Sequence, residues 1–130
     1  MNTIVEYLDN YLKYPINLDA SKNLFSNTFV GILIRKDKVI NVYHNIDNML
    51  NYFKENHTMV KDAEDSTISL HTCEKNPKVI YGTITSVQTH KMDDGTLETF
   101  KVEDKQIYEY DDNDKICFIQ HSWNPISITN

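Results

Sequence analysis

A carboxylate set beside an imidazole on a sheltered surface can orient the ring and raise its basicity. Such a pair abstracts a proton from a bound molecule or activates a water. In this chain the candidates are Asp104 and His121, and a turn brings them together. The alternating runs 97–110 and 115–128 flank Asp111-Asp112-Asn113-Asp114, a solvated connection between two strands. With those four residues as the loop, Tyr110 pairs with Lys115. Counting outward then sets Val102 opposite Trp123, Asp104 opposite His121, Gln106 opposite Ile119 and Tyr108 opposite Cys117. Lys101, Glu103, Lys105, Ile107 and Glu109 fall on the other face with Ser122, Gln120, Phe118 and Ile116. Alternation thus separates an apolar, aromatic face from a charged one. The competing reading is an ordinary cross-strand ion pair, worth about 0.2–1 kcal/mol. A bulge near Lys101 to Asp104 would shift the register and part the two groups.

A second set, Tyr11, Tyr81, Gln106, Tyr108 and Trp123, offers apolar bodies with hydrogen-bonding tips, suited to lining a pocket for an aromatic or polycyclic ligand. The alternative for these residues is plain core packing, with their polar ends at a rim. The other histidines are poorer candidates. His44 precedes a helical pattern, His57 follows one, and His71 and His90 fall on the outer face. None has a second ligand at metal spacing. Asp111-Asp112-Asn113-Asp114 begins like a calcium loop, yet the glycine is missing and Ser122 stands where the closing glutamate belongs. No metal and no cofactor is expected.

Composition narrows the partners. The chain has 130 residues, a net charge of -6 and a single arginine, Arg35, and its lysines alternate with acids. Phosphate recognition needs clustered cations, so nucleic acid is disfavoured. Glu6 and Asp9 interrupt the N-terminal pattern, so neither a signal peptide nor a membrane span is expected. Cys73 and Cys117 form no metal or disulfide pattern, which fits two reduced thiols in a cytoplasmic protein. At this length one domain, 1–130, is expected, with enough core to hold a pocket.

The elements that must position these residues follow in order. Thr3-Ile4-Val5-Glu6 has the form of a capping box, and Ile4, Leu8, Tyr11 and Leu12 continue at helical spacing up to Pro15. Asp19 starts a shorter helix with Leu24 and Phe25 on its buried side. Two strand pieces, 30–34 and 39–43, precede Asn45, which caps a helix whose Ile46, Met49, Leu50 and Phe53 share one face. Then come strands at 66–74 and 79–90, turning at Lys75-Asn76-Pro77-Lys78 and at Asp94-Gly95. Register counted from these turns puts Ile68, Leu70, Thr72, Val79, Tyr81, Thr83, Thr85 and Val87 on the face of Gln106, Tyr108, His121 and Trp123. The result is an α+β domain: three N-terminal helices packed on a strongly curved antiparallel sheet, a cystatin-like cone with a cavity.

This order of elements resembles the nuclear transport factor 2-like superfamily, which includes ketosteroid isomerases, scytalone dehydratase and SnoaL-like cyclases. The residues that carry the resemblance are the helix Asn45-Ile46-Asp47-Asn48-Met49-Leu50-Asn51-Tyr52-Phe53 and the hairpin from Gln106-Ile107-Tyr108 to His121-Ser122-Trp123. The resemblance implies that Gln106 replaces an oxyanion-hole aspartate, that Trp123 forms a pocket wall and that Tyr11 matches a hydrogen-bonding tyrosine. The general base of the isomerases would fall near Leu33-Ile34-Arg35-Lys36, where this chain has no carboxylate before Asp37. The superfamily also implies a homodimer through the outer sheet face, for which Ile80, Ile84, Ile107, Ile116 and Phe118 are the apolar candidates.

Two functions fit. One is a binder of a small, largely apolar or aromatic ligand, acting by acid/base isomerisation, dehydration or cyclisation, with His121 as base, Asp104 orienting it and Gln106 or Tyr11 donating to an oxyanion. The other is a non-catalytic dimeric module that holds a peptide or protein partner.

Overall fold

The structure, a computed structural model, describes residues 2–12, 18–57 and 60–127, with side chains described for 3–9, 19–53, 55 and 67–125. Helix α1 (Asn2–Leu12) buries Ile4, Tyr7 and Leu8, a stripe at helical spacing. Its first turn is tied to the far hairpin. The Ile4 N–H donates to the Tyr110 hydroxyl at 3.1 Å and the Thr3 hydroxyl donates to the Asp114 carbonyl at 3.3 Å. The first of these bonds satisfies an N–H that the helix start leaves open. Pro15 and the Tyr11 side chain lie outside the described residues.

A 3-10 helix (Leu18–Leu24) leads into strands β1 (Phe25–Arg35) and β2 (Lys38–Tyr43). Phe25 therefore opens a strand rather than ending the second helix. Helix α2 (Ile46–His57) follows, and Asn45 caps it as expected: its Oδ1 accepts from the Asn48 N–H at 2.8 Å. Met49, Leu50 and Phe53 are buried on its inner side. In place of three helices ahead of the sheet, α1 and the 3-10 helix precede β1, and α2 follows the β1–β2 hairpin.

Strands β3 (Val60–Thr72), β4 (Val79–Lys91), β5 (Leu97–Tyr110) and β6 (Ile116–Ser127) complete a curved six-stranded sheet of order β2-β1-β6-β5-β4-β3. It is mixed, because β1 runs parallel to β6 while every other pair is antiparallel. The expected all-antiparallel sheet is corrected at that one junction. The long stretch between β1 and β6, with α2 and four strands in it, allows this, since a parallel pair needs a long crossover.

Turn geometry decides which residues face the helices. The β5–β6 loop has three residues, Asp112 to Asp114: the Asp111 N–H donates to the Lys115 carbonyl at 2.8 Å, and Asp114 has φ 59°. A type I turn closed by a left-handed residue is the usual three-residue solution. It moves the pairing by one place from the expected count, and a bulge between Glu109 and Tyr110 moves it by another. The two shifts restore parity, so His121 and Trp123 keep the inner face. Ile116, on the near side of the bulge, also turns inward and is fully buried.

At the β4–β5 turn Gly95 occupies φ +86°, and Met92 pairs with Thr96 around another three-residue loop. No bulge compensates here, and β4 is flipped relative to expectation. Ile80, Gly82, Ile84 and Ser86 face inward while Tyr81 faces out. The β3–β4 loop is longer by one as well, with the Cys73 N–H donating to the Val79 carbonyl, which returns Leu70 to the expected side against the core.

Candidate functional site

The inner face reads as rows across the strands. Leu33 on β1 lies beside His121 on β6, which pairs with Gln106 on β5, which pairs with Gly82 on β4. In the next row Trp123 pairs with Asp104, and Asp104 with Ile84. Asp104 and His121 are therefore diagonal neighbours rather than directly opposed. The structure still brings them together, with His121 Nδ1 3.6 Å from Asp104 Oδ2. That separation permits a charge interaction and is too long for a hydrogen bond.

Gln106 takes the direct contact. Its Nε2 donates to Asp104 Oδ2 at 2.9 Å. Asp104, Gln106 and His121 are only 5%, 1% and 1% exposed. Asp104 Oδ1 and Gln106 Oε1 are buried and accept no hydrogen bond among the described residues. A buried acceptor left without a donor costs about 1–3 kcal/mol, so these two atoms are where the cluster can still accept a hydrogen bond.

Aromatic rings wall this cluster. Phe53 of α2 sets its edge against the His121 imidazole, centroids 5.5 Å apart and planes at 88°. Tyr43, at the end of β2, packs on Tyr52 and Phe53 at 5.8 and 5.9 Å. Its hydroxyl is buried with no hydrogen bond among the described residues. Burial, then Tyr52 and the charge of Asp104, push the Tyr43 phenol far above its ordinary range, so it remains a proton donor. Tyr43 was not among the sequence candidates. Its only signal was a place at the end of a strand before a helix cap. Tyr7 of α1 meets Tyr108 edge-on at 6.3 Å.

Of the expected lining, Gln106, Tyr108 and Trp123 lie on the inner face, with Tyr108 buried and Trp123 half-buried against the core. Tyr81 does not: it is 45% exposed on the opposite face, carried there by the β4–β5 turn. Tyr11 lies outside the described side chains.

His90 moves the other way. Expected outside, it faces inward and meets Phe100 at 5.6 Å and Trp123 at 6.2 Å. Burial, then Arg35, hold its pKa below 6.5. Arg35 lies over the Trp123 ring, its guanidinium carbon 4.8 Å from the centroid. Among the described residues no group of three or more His, Cys, Asp and Glu is placed to hold a metal, and no helix is long and apolar enough to cross a membrane.

No protein-family model matches the chain, and no curated protein sequence does so. Solved structures do match its fold. A phenazine biosynthesis-related protein of Pseudomonas aeruginosa superposes with a TM-score of 0.71 at 16% identity, over 95% of this chain and 77% of that one. The epoxide hydrolase/cyclase-like enzyme SalBIII of pyran ring formation in polyether salinomycin gives 0.63 at 17% identity, over 94% and 88%. A nuclear transport factor 2-like protein of unknown function from Exiguobacterium gives 0.62 at 14%, over 98% and 99%.

Proposed function

From a nuclear transport factor 2-like fold, we propose that the protein binds a small, largely apolar molecule against the inner face of its sheet and moves a proton on it. The reaction class is isomerisation, dehydration or cyclisation. One observation carries this reading: a carboxylate, an imidazole and a carboxamide are buried together, and Asp104 Oδ1 and Gln106 Oε1 accept no hydrogen bond among the described residues. In this reading His121 is the general base and Asp104, 3.6 Å from its Nδ1, orients it. Gln106 positions Asp104 through its 2.9 Å bond. Tyr43, kept protonated by burial, is a better oxyanion donor than Gln106, whose amide already serves Asp104. The face would form the wall of a conical cavity. The cyclase-like relative supports ring chemistry as one member of the class.

Proton abstraction can be read without the natural substrate. 2-Tetralone in D2O exchanges its α protons slowly, and protein that supplies a base in an apolar site should speed the exchange, seen by NMR. His121→Ala should lower the protein-dependent rate by about 100-fold, the lower bound for positioned acid/base catalysis. Asp104→Asn should fall between. Equal rates for the wild type and His121→Ala would remove the catalytic reading.

A second proposal concerns assembly: two copies pair through the outer sheet face, where Val30, Tyr81 and Leu97 are exposed. This apolar surface favours a homodimer, in a cytoplasmic setting that suits two free thiols.

A further inference from the structure

Arg35 closes β1, one residue beyond Ile34, which lies beside Ser122 on β6. Its parity matches Phe29, Gly31 and Leu33, so it belongs to the inner face, at the end away from Ile116 and Tyr110. It is the chain's only arginine, in a protein with 19 acidic residues. Yet Arg35 forms no ion pair among the described residues, although Asp37 stands two places on in the adjoining turn. Its contact is the flat face of Trp123. A cation over a ring face is held without a counter-charge, and the Arg35 N–H donors, which bond no acceptor among the described residues, are left for a carboxylate, which a guanidinium grips with two parallel bonds.

The neighbours define what else would sit there. Trp123 is flanked by His90, which in turn meets Phe100 edge-on, and Ser86, Gln88 and His90 are linked by side-chain hydrogen bonds of 3.0 and 2.9 Å. This end of the face is thus ring-lined and only half-buried, in contrast to the closed end around Ile116 and Ile119. Asp104 pairs with Trp123 on β6, and Arg35 stands one place beyond the Ile34–Ser122 pair, so the Arg35 and Asp104 backbones are two interstrand steps apart, about 10 Å.

We infer that Arg35, set over the Trp123 ring, is a docking point for the carboxylate of a ring-bearing acid whose body lies along the inner face toward Asp104, Gln106 and His121. The inference deepens the function proposed above and rests on it: the ligand is an acidic aromatic or polycyclic molecule of about two fused rings, the size that spans the distance between the cation and the buried cluster. The anion is held at the half-open end, clear of the Asp104 carboxylate. The apolar body reaches the proton-transfer groups.

The chain has one arginine and one tryptophan, so the Arg35 Nε–H and the Trp123 indole N–H each give a single side-chain signal in a 15N-correlated NMR spectrum. The experiment titrates labelled full-length protein with 2-naphthoate and, separately, with its neutral counterpart 2-naphthamide. Naphthoate should move both signals saturably and bind at least tenfold tighter than the amide, and added sodium chloride should weaken only the acid. In Arg35→Met, which keeps the apolar stem over the indole, the acid should fall to the affinity of the amide while the remaining spectrum stays that of the folded wild type. Equal affinities for acid and amide, with signals around Phe53 and His121 moving, would overturn the docking point and leave the inner-face ligand site standing. An acid preference surviving in Arg35→Met would overturn it by placing the anion elsewhere. No saturable movement with either compound would overturn both readings.

Discussion

Asp104, Gln106 and His121 occupy positions where apolar side chains would pack at lower cost. Each loses its hydration, and the bond from Gln106 to Asp104 replaces only part of it. Polar groups kept inside against their own solvation are a common mark of a site that uses them. His90 shows the same tension in a titratable form. Because burial and Arg35 lower its folded pKa from 6.5, the unfolded chain takes up a proton below pH 6.5 that the folded chain refuses. Its contribution to stability is complete above pH 6.5 and is lost as the pH falls through the folded value. Asp94 and Asp111, held below 3.8 mainly by hydrogen bonds from Thr96 and Lys115, lose their contributions only in a lower window. The melting temperature should therefore drop as the pH is taken from 7 to 5, and less steeply in His90→Gln. Parallel slopes in thermal unfolding followed by circular dichroism would count against a buried, neutral His90.

At the scale of elements, the close approach of β1 to β2 and β6 is what places Tyr43. A Cβ added at Gly31 would lie 2.9 Å from Tyr43 Cδ2 and 3.1 Å from both the Ile119 carbonyl oxygen and Phe29 Cζ. The carbonyl belongs to the strand ladder and cannot swing aside, so the Tyr43 ring must move. Gly31→Ala is expected to destabilise by about 1–3 kcal/mol in urea unfolding, as overpacked cores do. It should also lower proton-exchange activity more than that loss of stability explains. Unchanged stability would mean that the strand contact is looser than described. The helices at this scale were legible in the residues: Asn45 as cap and Met49, Leu50 and Phe53 as a buried stripe follow from local hydrogen bonding and a 3.6-residue period. The turns were not. Asp94-Gly95 serves a two-residue loop or a three-residue one with the glycine last, and the choice flips a whole strand.

For the whole molecule, that flip and the β5–β6 bulge redraw both surfaces of the sheet. Ile80, Ile84 and Ile116, expected on the outer face, are core, and Tyr81, expected inside, joins Val30 and Leu97 outside with half-buried Ile107 and Phe118. If this face pairs two copies, sedimentation equilibrium should show a dimer at micromolar concentration. Tyr81→Glu should shift it to monomer without altering the circular dichroism spectrum, because the residue lies on the exposed side. A wild type that stays monomeric throughout would remove the dimer.

The chain alone determined the α+β class, the runs that become strands, the cap and buried stripe of α2, and the side that Asp104 shares with Gln106 on one strand and His121 with Trp123 on the next. These depend on local periodicity and on side chains that alternate along a strand, both properties of the residues themselves. Only the tertiary structure decided that β1 runs parallel to β6, that Gln106 rather than His121 bonds Asp104, and that Tyr43 and His90 turn inward while Arg35 stands at the exposed edge beside Trp123. The reason is physical: an extra residue in a turn or a bulge changes local energy by little, yet it reassigns every pair beyond it. The sum of contacts across the sheet makes that choice, and no short stretch of sequence contains it.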